Sequence, residues 1–480
     1  MTFNAERWSA LAAAGAALLL AFLDASVNIA FPAIGAAFGV GVSSIQWVVI
    51  AYLLTSASLV PTCGRVADLW GRRRMLVAGV ATSLAALTLC GLAGSWGFFL
   101  SFRVLQGFGA ALIFASAPAV VSASFGPAEL GRALGILNMA GYVGFTAGPA
   151  VGGLLVQLFG WRSVYLFRLP LALLAAGLGL MLGADSVGRR SPGRRLGLTP
   201  PVLLAASVTA LLLALSLSSP QRQARLPALL LAVAAAAGLL LFVIADRRAA
   251  YPLFDPRLWT PTLALANAAN LVANAALFVI WLLVPYYLVD FLHYGTGAGG
   301  LLLAPCPFGM ALGAPLSGLL TDRMGSRWPQ LLGLACEAGG LALAGRLGSA
   351  ASYPAVAAVL LLSGVGMGVF TVANMSFVMS SVRSDAQGAA AGTVSMMRTL
   401  GIVVGANTAA LVFGARLAFH EATLARLAKP PAALKTISFF AAFRETSDLG
   451  ALLCLLALLL AAVATARRVV PPASEVPARC

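Results

Sequence analysis

Gly64-Arg65-Val66-Ala67-Asp68-Leu69-Trp70-Gly71-Arg72-Arg73-Arg74 is a short charged link between two apolar runs, 46–63 and 75–94. A weaker copy, Gly318-Leu319-Leu320-Thr321-Asp322-Arg323-Met324-Gly325-Ser326-Arg327, joins the runs 298–320 and 329–347. Runs of about twenty apolar residues without strand-like alternation span lipid as helices, because only a helix satisfies its own backbone there. A pattern G-x-x-x-D-x-x-G found twice at equivalent links predicts two related halves.

Reading outward gives further spans at 10–32, 98–122, 134–158, 164–183, 198–217, 226–245, 263–288, 354–379, 393–415 and 449–466, about fourteen in all. The expected fold is all-α: a polytopic membrane protein of two six-helix bundles plus two additional helices. The division is 1–183 for the first bundle, 184–262 for a Gly/Arg/Pro linker and the extra helices, 263–466 for the second bundle and 467–480 for a tail. A long connection, 416–448, lies on the outer side and reads equally as an amphipathic hairpin or an open connector.

Composition agrees, with 60% hydrophobic and 10% charged residues among 480 and a mean hydropathy of +0.94. A soluble domain carries about a quarter charged residues. The formal charge of +16 is spread through short links and not gathered in one patch, which argues against nucleic acid. Arg72-Arg73-Arg74, Arg189-Arg190, Arg194-Arg195, Arg247-Arg248 and Arg467-Arg468 all fall on the side of both termini, which should be cytoplasmic by the positive-inside rule. Asp24 interrupts the first apolar run, so this segment is expected to stay as a helix and not to be cleaved as a leader.

The six cysteines have neither metal-ligand nor disulfide spacing and read as small apolar residues. With two histidines, His293 and His420, no metal or nucleophile constellation and no nucleotide-binding loop, the sequence predicts neither an enzyme nor an ATP-driven pump, and no cofactor. Ionisable residues inside spans are the functional candidates. Asp24 lies mid-span, where an ionised carboxylate costs roughly 2.5 kcal/mol or more. Arg103 lies at comparable depth in the fourth span, and Glu337 midway along the eleventh reads as a second protonation site or a local pairing. Asn28, Gln106, Asn138, Asn270 and Asn274 are candidates to line a polar cavity.

The link 64–74 resembles the signature between helices two and three of the major facilitator superfamily. Leu23-Asp24-Ala25-Ser26-Val27-Asn28-Ile29-Ala30-Phe31-Pro32 and Arg103-Val104-Leu105-Gln106-Gly107-Phe108-Gly109-Ala110 resemble motifs of its fourteen-helix drug:proton antiporter branch. The stretch with Gly141, Gly144, Gly148-Pro149 and Gly152 resembles that branch's antiporter motif. The resemblance implies proton-coupled export of small amphipathic molecules from the bacterial inner membrane, with small-molecule substrate, protons and lipid as partners. It assigns proton transfer to Arg103; the mid-span charge of Asp24 points to proton coupling or to a substrate's charge, and the duplicated links to gating by Gly64, Asp68, Gly71, Arg72, Arg73, Asp322 and Arg323, with Asp68 set to pair with a cation or a helix N-terminus of the facing bundle. A dedicated exporter of one metabolite or self-made antibiotic is the alternative. The segment Tyr165-Leu166-Phe167-Arg168-Leu169-Pro170 departs from the family by placing Arg where Asn is usual, a cation expected at the outer mouth of the cavity.

Overall fold

The computed structural model describes residues 2–40, 45, 47–126, 128–182, 199–217, 225–249, 252, 260–288, 303–348, 351–383, 386–425 and 431–466. Every regular element among them is helical. In the first half these are α1 (Thr2–Phe22), a 3-10 segment (Leu23–Ala30), α2 (Phe31–Phe38), α3 (Trp47–Trp70), α4 (Arg72–Leu92), α5 (Trp96–Ser124), α6 (Leu130–Phe159), α7 (Ser163–Leu166) and α8 (Leu169–Met181). A pair, α9 (Thr199–Leu217) and α10 (Arg225–Arg248), precedes the second half. That half holds α11 (Pro261–Tyr286), α12 (Pro305–Met324), α13 (Arg327–Ala344), α14 (Tyr353–Ser380), α15 (Gln387–Ala425) and α16 (Pro431–Ala466). Among the described residues, eleven spans are individually long and apolar enough to cross a bilayer.

The packing is that of a membrane bundle. Small residues such as Ala13, Ala14, Ala17, Ala111, Ala115 and Ala117 are buried, while Leu154, Leu158, Leu173, Leu230 and Leu240 face outward. Lipid removes the hydrophobic drive between helices, so close approach through small side chains takes its place. The halves meet along two seams, α3 on α15 and α6 on α12. At the first, a methyl on Gly64 would collide with the carbonyl of Gly388; at the second, one on Gly318 would lie 2.5 Å from the Gly131 carbonyl. The α9/α10 pair leans on the first seam: Leu204, Val208 and Phe242 cluster with Ala57 of α3 and Met396 of α15. The Ser58 and Thr209 hydroxyls are 2.9 Å apart.

One expectation is corrected, and one choice between two is decided. The first span is not one helix: Pro32 has no N–H for the carbonyl of Asn28, and the Phe31 N–H bonds that carbonyl instead. This tightens Leu23–Ala30 into the 3-10 segment that carries Asp24. The connection 416–448 is not an open connector: where it is described, α15 runs helical to Ala425 and α16 from Pro431, and the two pair as a helical hairpin. Arg416 and His420 of α15 pair there with Glu445 of α16, at 2.6 and 3.2 Å. The linker 184–197, His293, Arg467-Arg468 and Cys480 lie outside the described residues. Cys63, Cys90, Cys306 and Cys454 are buried free thiols, in line with the apolar role read for them.

Candidate functional site

Asp24 is held by three side chains from two other spans. Arg103 of α5 forks onto it, Nη1 to Oδ1 at 2.8 Å and Nη2 to Oδ2 at 2.9 Å. Gln106, one turn on, donates to Oδ1 at 2.9 Å, and Arg168 donates to the same oxygen at 3.1 Å. Arg103 also donates to the Val48 carbonyl and to Gln106, and lies over the Tyr52 ring at 4.8 Å. Both arginines are buried. A forked guanidinium–carboxylate pair in a dry interior fixes geometry as well as charge.

Arg168 is therefore not a cation at an open mouth. It lies just ahead of α8 with its guanidinium turned onto Asp24 and 5.5 Å from the Tyr165 ring. Its Nε and Nη2 have no acceptor among the described residues. Sequence reasoning singled out Arg168 and missed its partner. The signal was available: an intramembrane arginine defaults to an intramembrane carboxylate.

Asp24 opens onto a cavity of about 530 Å³ between the two halves. Phe22, Tyr52, Phe114, Tyr142, Phe145 and Trp281 form much of its wall, with Asn28, Asn274, Thr399 and Arg398 as polar members. Phe145 and Trp281 meet across the halves at 5.3 Å. Of the expected cavity residues, Asn28 and Asn274 line it. Gln106 belongs to the Asp24 cluster, Asn138 donates to the Leu134 carbonyl, and Asn270 ties α11 to α15 through the Val394 carbonyl. Those three bond internally and do not form part of this wall.

The glycines of α6 explain how the Asp24 segment is seated. A methyl on Gly144 would lie 2.7 Å from the Leu19 carbonyl and one on Gly152 2.8 Å from that of Ser26, while Gly141 faces Phe22 and Gly148 faces the Ser26 N–H. Pro149 lines the cavity, and lacking an N–H it leaves the carbonyl of Phe145 without its helical donor. The stripe of small residues thus grips the 3-10 segment beside the cavity.

At one end of the bundle the repeated links form two matching clasps. Asp68 accepts from the N–H groups of Gly388 and Ala389 at 2.8 and 2.9 Å, the first turn of α15. Asp322 accepts from Gly131 and Arg132 at 2.8 and 2.9 Å, the first turn of α6. A carboxylate on a helix N-terminus satisfies orphan donors and meets the positive end of the dipole. Arg72 bonds Asp68, the Gln387 side chain and the Ala119 carbonyl. Arg73 instead caps the carbonyls of Gly179 and Leu180 on α8, and Arg323 is exposed. Gly71 and Gly325, three residues after each aspartate, both take positive φ, +104° and +78°, which favours glycine.

Glu337 stands apart. It is fully buried, it is not part of the cavity wall, and no cation pairs with it among the described residues. Its nearest polar company is the Cys454 thiol of α16.

The chain matches the Major Facilitator Superfamily over residues 13–406 and belongs to that family. It is a multi-pass membrane transporter of small molecules. It is similar to "Multidrug resistance protein Stp" of Mycobacterium tuberculosis (strain CDC 1551 / Oshkosh), at 34% identity over 84% of this chain and 75% of that protein. It is also similar to the "Tetracenomycin C resistance and export protein" of Streptomyces glaucescens, at 27% identity over 98% of this chain and 84% of that one. Among solved structures, the human organic anion transporter MFSD10 (TETRAN) has the same fold, with a TM-score of 0.65 over 95% of this chain and 99% of that one, at 17% identity.

Proposed function

We propose that this chain exports small amphipathic molecules across the bacterial inner membrane by alternating access, exchanging each for protons taken up at Asp24. The observation that carries the reading is the buried Asp24–Arg103–Arg168 cluster at the wall of a largely aromatic cavity between the halves. An apolar, aromatic cavity with few polar groups suits varied amphipathic ligands. Protonation of Asp24 removes the charge that holds both arginines, and with it the tie between the first span, α5 and the entry of α8. The two preferred arrangements of the bundles then depend on protonation.

The clasps of Asp68 and Asp322 would gate the same cycle. With both termini in the cytoplasm, they close the cytoplasmic end, and their release opens the cavity inward. A dedicated exporter of a single compound is the second reading, favoured by the tetracenomycin C export relative, which aligns over 98% of this chain. Purified protein in liposomes with an imposed pH gradient tests the proposal. Addition of a transported compound should dissipate the gradient in protein-containing liposomes only; a gradient untouched by every amphipathic compound that binds the protein would contradict it.

A further inference from the structure

Arg398 of α15 is a third intramembrane guanidinium, and unlike Arg103 and Arg168, which are buried behind Asp24, it lines the cavity itself. Its side chain lines the wall and lies over two rings of the opposite half, 5.2 Å from Phe22 and 5.1 Å from Phe114. No carboxylate among the described residues pairs with it, and Glu337, the buried acid of its own half, is not in the cavity wall. Aromatic faces attract a guanidinium without neutralising it. Among the described residues, Asp24 is thus the one carboxylate set against Arg103, Arg168 and Arg398, an excess of two positive charges, and Arg168 keeps two donors unspent. In a low-dielectric, apolar-walled space such an excess focuses a field that draws anions and rejects cations.

We propose that the substrates are aromatic organic anions, whose carboxylate or phenolate is bound by Arg398 while their rings pack against the aromatic wall. The inference rests on the exporter reading above and narrows its substrate class. A guanidinium offers a planar fork of donors matched to a carboxylate and keeps its charge throughout. Phe22 and Phe114 hold that fork in place, so little freedom is lost when the ligand arrives. There is an electrical consequence: an anion leaving as a proton enters moves positive charge inward twice, so an interior-negative potential should accelerate export.

Two xanthene dyes of one ring frame and opposite charge test this: fluorescein, an anion, and rhodamine 123, a cation. Fluorescence polarisation with the purified full-length protein should give fluorescein at least about tenfold tighter binding than rhodamine 123. Arg398→Gln should weaken fluorescein by about ten- to a hundredfold, as loss of a charged hydrogen bond does, and leave rhodamine 123 unchanged or tighter. Arg398→Lys, which keeps the charge, should retain most of the preference; it and the wild-type comparison stand whether or not Arg398→Gln folds. Wild-type preference for rhodamine 123, or unchanged fluorescein binding in a folded Arg398→Gln, would overturn the assignment. Flux of the same dyes in liposomes separates the two claims. Rhodamine 123 moved in preference to fluorescein keeps the exporter and overturns the anion. Fluorescein bound through Arg398 but never moved keeps the anion and overturns the exporter.

Discussion

Asp68→Asn removes the charge from the clasp between α3 and α15 while keeping the side chain's shape. In the wild type that carboxylate accepts from the N–H groups of Gly388 and Ala389 and twice from Arg72, so four charge-assisted bonds converge on one buried group. The amide keeps one acceptor oxygen and turns an NH2 toward N–H donors, so at least one backbone N–H loses its partner. Replacing a charged acceptor with a neutral one costs about 1.5–3 kcal/mol, a shift of about 10- to 100-fold away from the state in which the clasp is made. Pulsed electron–electron spectroscopy reads this directly, with spin labels replacing exposed Arg74 and Arg383, which flank this seam, on a background without reactive cysteines. The expected result is a new, longer distance in Asp68→Asn that is minor in the parent. An unchanged distribution in a folded Asp68→Asn would refute the assignment of gating energy to this contact.

Asp322→Asn should open the twin seam by a comparable factor, read by the same method with labels at exposed Glu129 and Arg327 that flank it, because its carboxylate makes the equivalent two backbone bonds to α6. Gly144→Val should lower the thermal unfolding temperature in detergent, by the equivalent of about 1–3 kcal/mol of overpacking, since even a methyl would meet the Leu19 carbonyl at 2.7 Å. The control is Gly339→Val, whose added methyl meets nothing within 4 Å and which should shift that temperature far less. Glu337→Gln should retain substrate exchange within about twofold, because the carboxyl has no cation partner among the described residues and no place in the cavity wall; abolished exchange would make Glu337 a second coupling site.

The bundle was legible in the sequence because lipid leaves so few options: apolar length, charge placement and a duplicated link were enough for the spans and the two halves. Asp24, Arg103 and Asp68 were marked too, since intramembrane charges are costly enough to stand out. Partners were harder. Asp68 meets the N-terminus of α15 in the facing half, as the link suggests, but the N–H groups of Gly388 and Ala389 that receive it leave no mark in residue type to say which helix. Arg168 was visible but placed at a mouth, because span position gives depth and not the direction of a long side chain. The break at Leu23–Ala30 followed from Pro32, yet hydropathy averages over it. The segment 416–448 could be read only as hairpin or connector, because its charges sit on helices that continue beyond the apolar core.

Coupling of substrate to protons at Asp24 is tested most directly by Asp24→Asn in liposomes with an imposed pH gradient. The asparagine carbonyl still accepts from Arg103, and Arg103 keeps its bonds to the Val48 carbonyl and Gln106, which favours a folded variant. With the cluster's negative charge gone, fluorescein binding should hold or tighten, so the coupling lies in the conformational step and not in competition for the cavity. Wild-type protein should dissipate the gradient when a transported dye is added, while Asp24→Asn binds the dye and leaves the gradient intact. Dissipation by Asp24→Asn at the wild-type rate would place the proton elsewhere and contradict coupling at Asp24.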